Sequence, residues 1–272
     1  IDFVFNKYIK IKNLKFSEDK SEIFLLNLIL NNNFEIINLK KIKIKTFLNK
    51  IKNNDFSITK LDNIKINGSI LDVRPLLKTL YEKDDRKSFT KNFNSKININ
   101  LDKIITGSED DLLDFVMIGN IKKGSYAKMS LKGNFSQDEI FEMTLRQINN
   151  NTKSLQIISD RATPFVRNFE FIKGFQGGKL EYDSTITESI SNSNLKIKNF
   201  KVSKVPALAQ LLTLADLRGI SDTLKGEGIR FEMFEMKFNS KNNVINIEEA
   251  YATGPAVSIL LDGYVDKGKL VS

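Results

Sequence analysis

"KININLDKI", residues 96–104, alternates without a break: Ile97, Ile99 and Leu101 fall on one face of an extended chain, and Asn98, Asn100 and Asp102 on the other. Successive side chains of a strand point to opposite sides, so the stretch predicts a β-strand with one apolar and one polar face. The pattern recurs. "LKKIKIKTF" (39–47) gives Leu39, then Ile42 and Ile44 alternating with Lys41, Lys43 and Lys45. "YAKMSLKGNF" (126–135) aligns Ala127, Met129, Leu131, Gly133 and Phe135; "IFEMTLRQI" (140–148) aligns Phe141, Met143 and Leu145; "NLKIKNF" (194–200) aligns Leu195 and Ile197. Short turn signals separate these runs: "NNN" at 31–33, "INGS" at 66–69, "KKG" ending at Gly124, "GG" at 177–178, "SKNN" at 240–243 and "DKGK" at 266–269. Links this short predict antiparallel hairpins in a long meander, since parallel neighbours need a crossover, usually a helix, between them.

Three places break the rhythm. "DVRPLLKTLYEKDD" (72–85), with Pro75, Leu76, Leu77, Leu80 and Tyr81, predicts a short helix that leads into a charged loop reaching Lys96. "SDRATPFVRNFEFIKGF" (159–175) offers Asp160 as an N-cap and Pro164, Phe165, Val166, Phe169 and Phe171 as a second short helix or ordered connector. "KVPALAQLLTLADLRGISDTLKGEGIRF" (204–231) places Pro206 in a first turn and Leu208, Leu211, Leu212 and Ala215 at i, i+3, i+4 and i+7, which predicts an apolar helix over 206–217. Leu214 and Leu217 lie off that stripe, so the helix must be covered on more than one side, and Gly219 and Gly226 mark stops.

Composition bounds the chemistry. The 272 residues, 41% hydrophobic and 28% charged, allow a substantial core, and the first residue is Ile1 rather than Met, so the chain is expected to be a piece of a longer protein. His, Cys and Trp are absent, which excludes a Cys nucleophile, a Ser-His pair, a thiolate or imidazole metal site and a disulfide. Lys and Arg number 42 against 33 acids, net +9; the lysines are scattered among Asn and Ile, which reads as a solvated outer face. Aromatic residues do not interleave with them as a base-stacking platform does, so no nucleic-acid partner is expected. The longest apolar run falls short of the roughly 20 residues of a membrane-spanning helix, so any anchor would lie outside this chain.

No motif carries catalysis. "KGFQGGK" (173–179) lacks the spacing and the terminal Lys-Ser/Thr of a phosphate loop and reads as a hairpin turn. The densest acids, Glu109, Asp110, Asp111 and Asp114, with Glu248 and Glu249, lack calcium-loop spacing and read as solvated. "SLK" at 130–132 lies within an alternating strand. A non-enzymatic protein without catalytic, metal or cofactor-binding residues is therefore expected.

The last third is more specific. A strand ending in Phe200, the Pro206-containing Leu-rich segment, "LRGI" (217–220), "GEGIRF" (226–231), "ATGPAVSI" (252–259) and "GYVD" (263–266) follow one another in an order that resembles the AsmA-like C-terminal region of the AsmA and TamB superfamily of bacterial envelope proteins, most closely its YhdP branch. Upstream, "ISDRATPFVRNFEFIKGFQGGKLEY" and "GSILDVRPLLKTL" resemble earlier elements of the family more loosely, Ala162 and Thr163 standing where Ala-Gly is usual. The resemblance implies a mostly β fold, a long, curved antiparallel sheet forming an open, β-taco-like groove with a few short helices. It implies residues 1–95 as the N-terminal part of the groove and 96–272 as the AsmA-like C-terminal region. It also implies non-enzymatic, bridge-like transport of phospholipid between inner and outer membranes, supporting outer-membrane lipid homeostasis. The location it implies is the periplasm of a Gram-negative bacterium, with an inner-membrane anchor outside this chain and other envelope proteins as possible partners.

An acyl-chain groove asks for a continuous apolar face, and each CH2 removed from water contributes roughly 0.8 kcal/mol, so a wall without a head-group pocket suffices. The wall candidates are Ile97, Ile99, Leu101, Met129, Leu131, Phe141, Met143, Leu145, Leu195 and Ile197 on strands and Leu208, Leu211, Leu212 and Ala215 on the apolar helix. Alternation alone equally suits a plain β-sandwich or β-helix-like core, and with it a periplasmic structural or assembly factor for outer-membrane proteins with a dry, self-packed interior. The apolar helix is open to two readings, core or gate.

Overall fold

The computed structural model describes residues 3–5, 8–76, 93–107, 111–166, 174–188, 190–203, 219, 227–241, 244–266 and 269–271. Of these, 77% lie in strands, and the sheets are open, curved and predominantly antiparallel, with few and short helices, which is the expected class. The chain divides into two compact units, Ile1–Asp138 and Glu139–Ser272. The 95/96 boundary read from the sequence falls inside the first unit, at the start of the strand Ser95–Ile105.

In the first unit the strands are β1 (Phe3–Phe5), β2 (Ile9–Glu18), β3 (Ser21–Leu30), β4 (Ile36–Leu48), β5 (Ile51–Lys60), β6 (Ile64–Asp72), β7 (Ser95–Ile105), β8 (Leu112–Lys122) and β9 (Ser125–Ser136). Each pairs antiparallel with the next, except that β6 and β7 run parallel. A parallel neighbour requires a long return, and residues 73–94 supply its length. Two of the antiparallel links are two-residue turns with both residues at positive φ, Asn49 and Lys50 (51° and 67°) and Lys123 and Gly124 (50° and 73°), the handedness that follows strand twist. "INGS" is not a turn: Asn67 and Gly68 lie within β6. Gly68 is there because the backbone of β5 comes too close for a side chain, a Cβ at this position lying 2.3 Å from the Asp55 carbonyl oxygen.

The second unit contains β10 (Glu139–Asn149), β11 (Thr152–Ser159), β12 (Gln176–Ile186), β13 (Ser191–Val202), β14 (Ile229–Lys241), β15 (Val244–Thr253), β16 (Ser258–Asp266) and β17 (Lys269–Val271), each antiparallel to the next. Between β11 and β12 stands the short helix Thr163–Val166. Asp160 does not cap it; its carboxylate accepts from the Ile140 amide and the Lys179 ammonium, while the Ala162 carbonyl takes the first helical bonds, from the amides of Phe165 and Val166. Gly177 and Gly178 likewise form no hairpin turn. They open β12 at φ of 70° and 85°, and Gly178 lets Ala162 close on the sheet, its carbonyl accepting from the Ala162 amide at 2.7 Å.

The strands do not keep a simple alternation from end to end. Asn27, Asp114 and Asn199 sit within β3, β8 and β13 at φ of 48°, 50° and 56°. In each case the residue two before and the residue one after are both buried: Leu25 and Leu28, Leu112 and Phe115, Ile197 and Phe200. A single left-handed residue reverses the phase of a strand, so the core side chains stand three apart instead of two. Asn and Asp tolerate this backbone better than other residues with a Cβ because their short polar side chains bond locally. Neighbouring strands shift phase at the same level, with Ile11 and Leu14 opposite Leu28 and Leu25, and Phe231 and Phe234 opposite Phe200 and Ile197.

Two of these reversals lie within buried clusters. Leu25, Leu28 and Leu39 form a buried cluster in the first unit, with Ile11, Leu14, Ile42 and Ile58 against it. In the second unit Ala162 and Val166 of the helical segment close on Leu180, Ile197, Phe200, Val202, Ile229, Phe231 and Ala252. The rings of Phe175, Phe200 and Phe231 stack in sequence at centroid separations of 5.2 and 5.3 Å. The predicted helix over 206–217, with Leu208, Leu211, Leu212 and Ala215, lies outside the described residues, as do Phe169, Phe171 and the part of the first predicted helix beyond residue 76.

Candidate functional site

Side chains of directly paired residues share a face of a sheet, so the registers decide which candidate wall residues come together. In the first unit they all do. Ile97 pairs with Gly119 and Gly119 with Met129; Ile99 pairs with Met117 and Met117 with Leu131; Leu101 pairs with Phe115. Traced back through the other strands, one row runs Leu14, Leu25, Ile42, Ile58, Ile66, Ile99, Met117, Leu131, eight apolar residues on eight consecutive strands. A second runs Phe16, Ile23, Ile44, Phe56, Gly68, Leu101, Phe115. On the opposite face the corresponding row reads Lys15, Phe24, Lys43, Ser57, Asn67, Asn100, Val116, Lys132.

The five strand candidates of the second unit also share one face. Met143 pairs with Ile157, then Tyr182, Leu195, Met236 and Ala250; Phe141 pairs with Ser159, then Leu180, Ile197, Phe234, Ala252 and Ile259. Leu145 begins a third row, Leu155, Ser184, Ser193, Phe238, Ile247, in which two serines replace apolar residues. Both are buried, and they satisfy one another: Ser193 Oγ donates to Ser184 Oγ at 2.9 Å and lies 3.0 Å from Tyr182 Oη. This polar notch in an apolar wall was not read from the sequence, where Ser184 and Ser193 count as polar residues; their place in the alternation, in phase with Tyr182 and Leu195, is the signal that marks them.

These faces are not sealed. In the eight-residue row only Leu25 and Met117 are buried, and Leu14, Ile42, Ile58, Ile66, Ile99 and Leu131 stay half-exposed. Met129, Phe141, Met143, Leu145 and Leu195 are half-exposed too, whereas Ile97, Leu101 and Ile197 are buried. Tyr126 occupies the space left by Gly119, and burial pushes its phenol above the usual range. Lys60 stands on the apolar face at the end of β5, where burial lowers its pKa; its Nζ donates to the Ile36 carbonyl and lies 5.1 Å from the Phe93 ring centroid.

Charge is gathered on the other faces and at strand ends. In the second unit Tyr251 Oη donates to Glu235 at 2.7 Å, holding that carboxyl below its usual range with help from Lys196, and Lys237 pairs with Glu249 at 3.0 Å. In the first unit Asp72 is buried at the end of β6. Arg74 grips it through Nε at 2.8 Å and Nη2 at 2.6 Å, and with Asn53 it holds the carboxyl down to about 2. Thr46, Asn53 and Asn54 complete this network, Asn54 accepting from the Asp72 amide and donating to Thr46.

Among the described residues, the acids considered as catalytic candidates are engaged one by one. Asp111 is bound to Lys103 at 2.8 Å, Asp114 forms the phase reversal in β8, and Glu248 accepts from Asn239; Glu109 and Asp110 lie outside the described residues. Among the described residues no three acids gather as a metal site, and no helix is long and apolar enough to cross a membrane. Compared with family models, curated proteins and solved structures, the chain matches none.

Proposed function

We propose that the chain is a lipid-handling part of an envelope protein, whose apolar sheet faces carry phospholipid acyl chains in non-enzymatic, bridge-like transport between inner and outer membranes. The observation that carries the reading is the eight-residue row from Leu14 to Leu131: unbroken in apolar character, backed by a row in which only Phe24 and Val116 are apolar, and half-exposed along most of its length. A protein core of this length would bury such side chains, whereas an acyl chain laid along them removes the same surface from water at roughly 0.8 kcal/mol per CH2. Similar side chains from strand to strand give no single deep minimum, which suits sliding. The order of motifs from Phe200 to Asp266, with its AsmA-like character, supports the same reading and with it a periplasmic setting, an inner-membrane anchor outside this chain and other envelope proteins as partners.

Lipid extraction and mass spectrometry of the purified chain test it: phospholipid should co-purify, and the delipidated chain should take up a fluorescent phospholipid. A chain that carries none and binds none sinks the reading. A structural or assembly factor with a dry interior is the second reading. The closed cluster around Phe200 and Phe231, where sheet and helical segment seal against one another, favours it for that end of the second unit. Protection of the half-exposed row from hydrophobic dyes, with no lipid present, would decide for it.

A further inference from the structure

The net charge of +9 is not shared evenly: residues 1–138 hold 25 Lys and Arg against 17 Asp and Glu, net +8, whereas residues 139–272 hold 17 against 16, net +1. Within the first unit the excess meets an unusual neighbour. On the reverse of the apolar rows, β3 presents Phe24, Leu26 and Ile29 in line, all half-exposed. Lys15 and Lys43 flank Phe24 in the register, Lys41 flanks Leu26 with Asn13 opposite, and Lys10 flanks Ile29. Lys10, Lys41 and Lys43 have no ion-pair partner among the described residues; the acid within this field is Glu22, bound to Lys15 at 3.0 Å and held below its usual range by Lys15, with Lys43 and Lys45 adding to the effect.

We propose that this outer face of β2–β4 docks on an anionic lipid surface, with the lysines at head-group level and Phe24, Leu26 and Ile29 turned to the interface. An outer face that met only water would gain nothing from the apolar line, while a lysine stem can lie along such a line and hold its ammonium at anionic head groups. The partner is fixed by charge complementarity: a net-positive surface with an apolar strip matches a negatively charged bilayer better than a neutral one. The inference stands apart from the acyl-chain reading, since it uses the opposite face of the sheet.

The chain contains no Trp, so Phe24→Trp gives a single fluorescent reporter. Its emission should shift to the blue on vesicles of phosphatidylcholine with phosphatidylglycerol, and not on phosphatidylcholine alone. In co-sedimentation, binding to the anionic vesicles should fall steeply with salt. The triple variant Lys10→Gln, Lys41→Gln, Lys43→Gln should lose about 100-fold in partitioning, at about fivefold for each lysine near the surface. The variant Lys96→Gln, Lys122→Gln, Lys128→Gln, with the same net charge and circular dichroism as a check on folding, should keep most of the binding. Equal loss in both variants, equal binding to neutral vesicles, an unshifted Trp, or retention by polyglutamate with none by the anionic vesicles would each overturn the proposal.

Discussion

The guanidinium of Arg74 closes on the carboxylate of Asp72, two residues before it, through Nε at 2.8 Å and Nη2 at 2.6 Å, while the Arg74 amide donates to the same carboxylate at 3.1 Å. Three bonds from one neighbour hold a buried acid ionised where the chain leaves β6. The consequence is a specific dependence on pH. The carboxyl is lowered from 3.8 to about 2, so the unfolded chain binds the proton first as pH falls. The stabilisation is therefore complete above about pH 5 and lost as the pH falls through 4 toward 2, amounting to about 2 kcal/mol at most. Urea unfolding of Asp72→Asn should show that loss at pH 7, and its curve should converge with that of the parent near pH 2. A deficit independent of pH would mean that the ion pair is not its source.

A charge on the proposed lipid wall separates the acyl-chain reading from a merely structural one. Leu131→Asp and Leu145→Asp each set a carboxylate at a half-exposed position on an apolar face, where it stays hydrated in the empty protein and opposes an acyl chain laid over it. Both variants should fold, lose at least tenfold in binding of a fluorescent phospholipid, and fail to support the outer-membrane barrier in a permeability assay. Ser130→Asp, exposed on the reverse face, should bind as the parent does.

The phase reversals make a backbone prediction. Asn199 at φ of 56° can be replaced by Gly with little change, whereas a β-branched side chain is strained there by roughly 1–2 kcal/mol. Asn199→Val should therefore lower the urea midpoint and Asn199→Gly should not, and the same contrast should hold at Asn27. If Val were as stable as Gly at both sites, the reversal would not depend on the left-handed residue.

Gly68 tests the close approach of β5 and β6. A methyl group at this position meets backbone rather than a flexible side chain, at 2.3 Å from the Asp55 oxygen and 2.4 Å from Phe56 Cα. Strands cannot give way there without breaking the register, so Gly68→Ala should destabilise by about 2 kcal/mol in chemical denaturation, an overpacking effect. A neutral substitution would show that the strands separate freely at this point.

Much of this is legible in the order of residues. Alternation is a local property, and it placed Ile97, Ile99 and Leu101, Met129 and Leu131, and Phe141, Met143 and Leu145 each on a common face of their own strand. Even the reversals have a local signature: "LLNL" at 25–28, "LLDF" at 112–115 and "IKNF" at 197–200 each set an apolar residue two before and one after an Asn or Asp, which a two-residue period passes over. Glycine was the poorer guide. Gly68 and the pair Gly177 and Gly178 read as turns, because a glycine that admits positive φ and one that admits a neighbouring chain look alike in one dimension.

Two-faced strands, the absence of His and Cys chemistry and, away from Asn27, Asp114 and Asn199, the side chains that a strand turns to one side are already written in the order of residues, since all of these follow from composition and from the two-residue repeat of an extended backbone. The folded sheets alone lay β6 and β7 parallel, assign nearly all of the net charge to one unit, and bring Leu14, Leu25, Ile42, Ile58, Ile66, Ile99, Met117 and Leu131 into one row. A slip of one residue in any strand would turn its apolar set to the other face, and register is set by partners distant in sequence, so no strand read alone could have shown it.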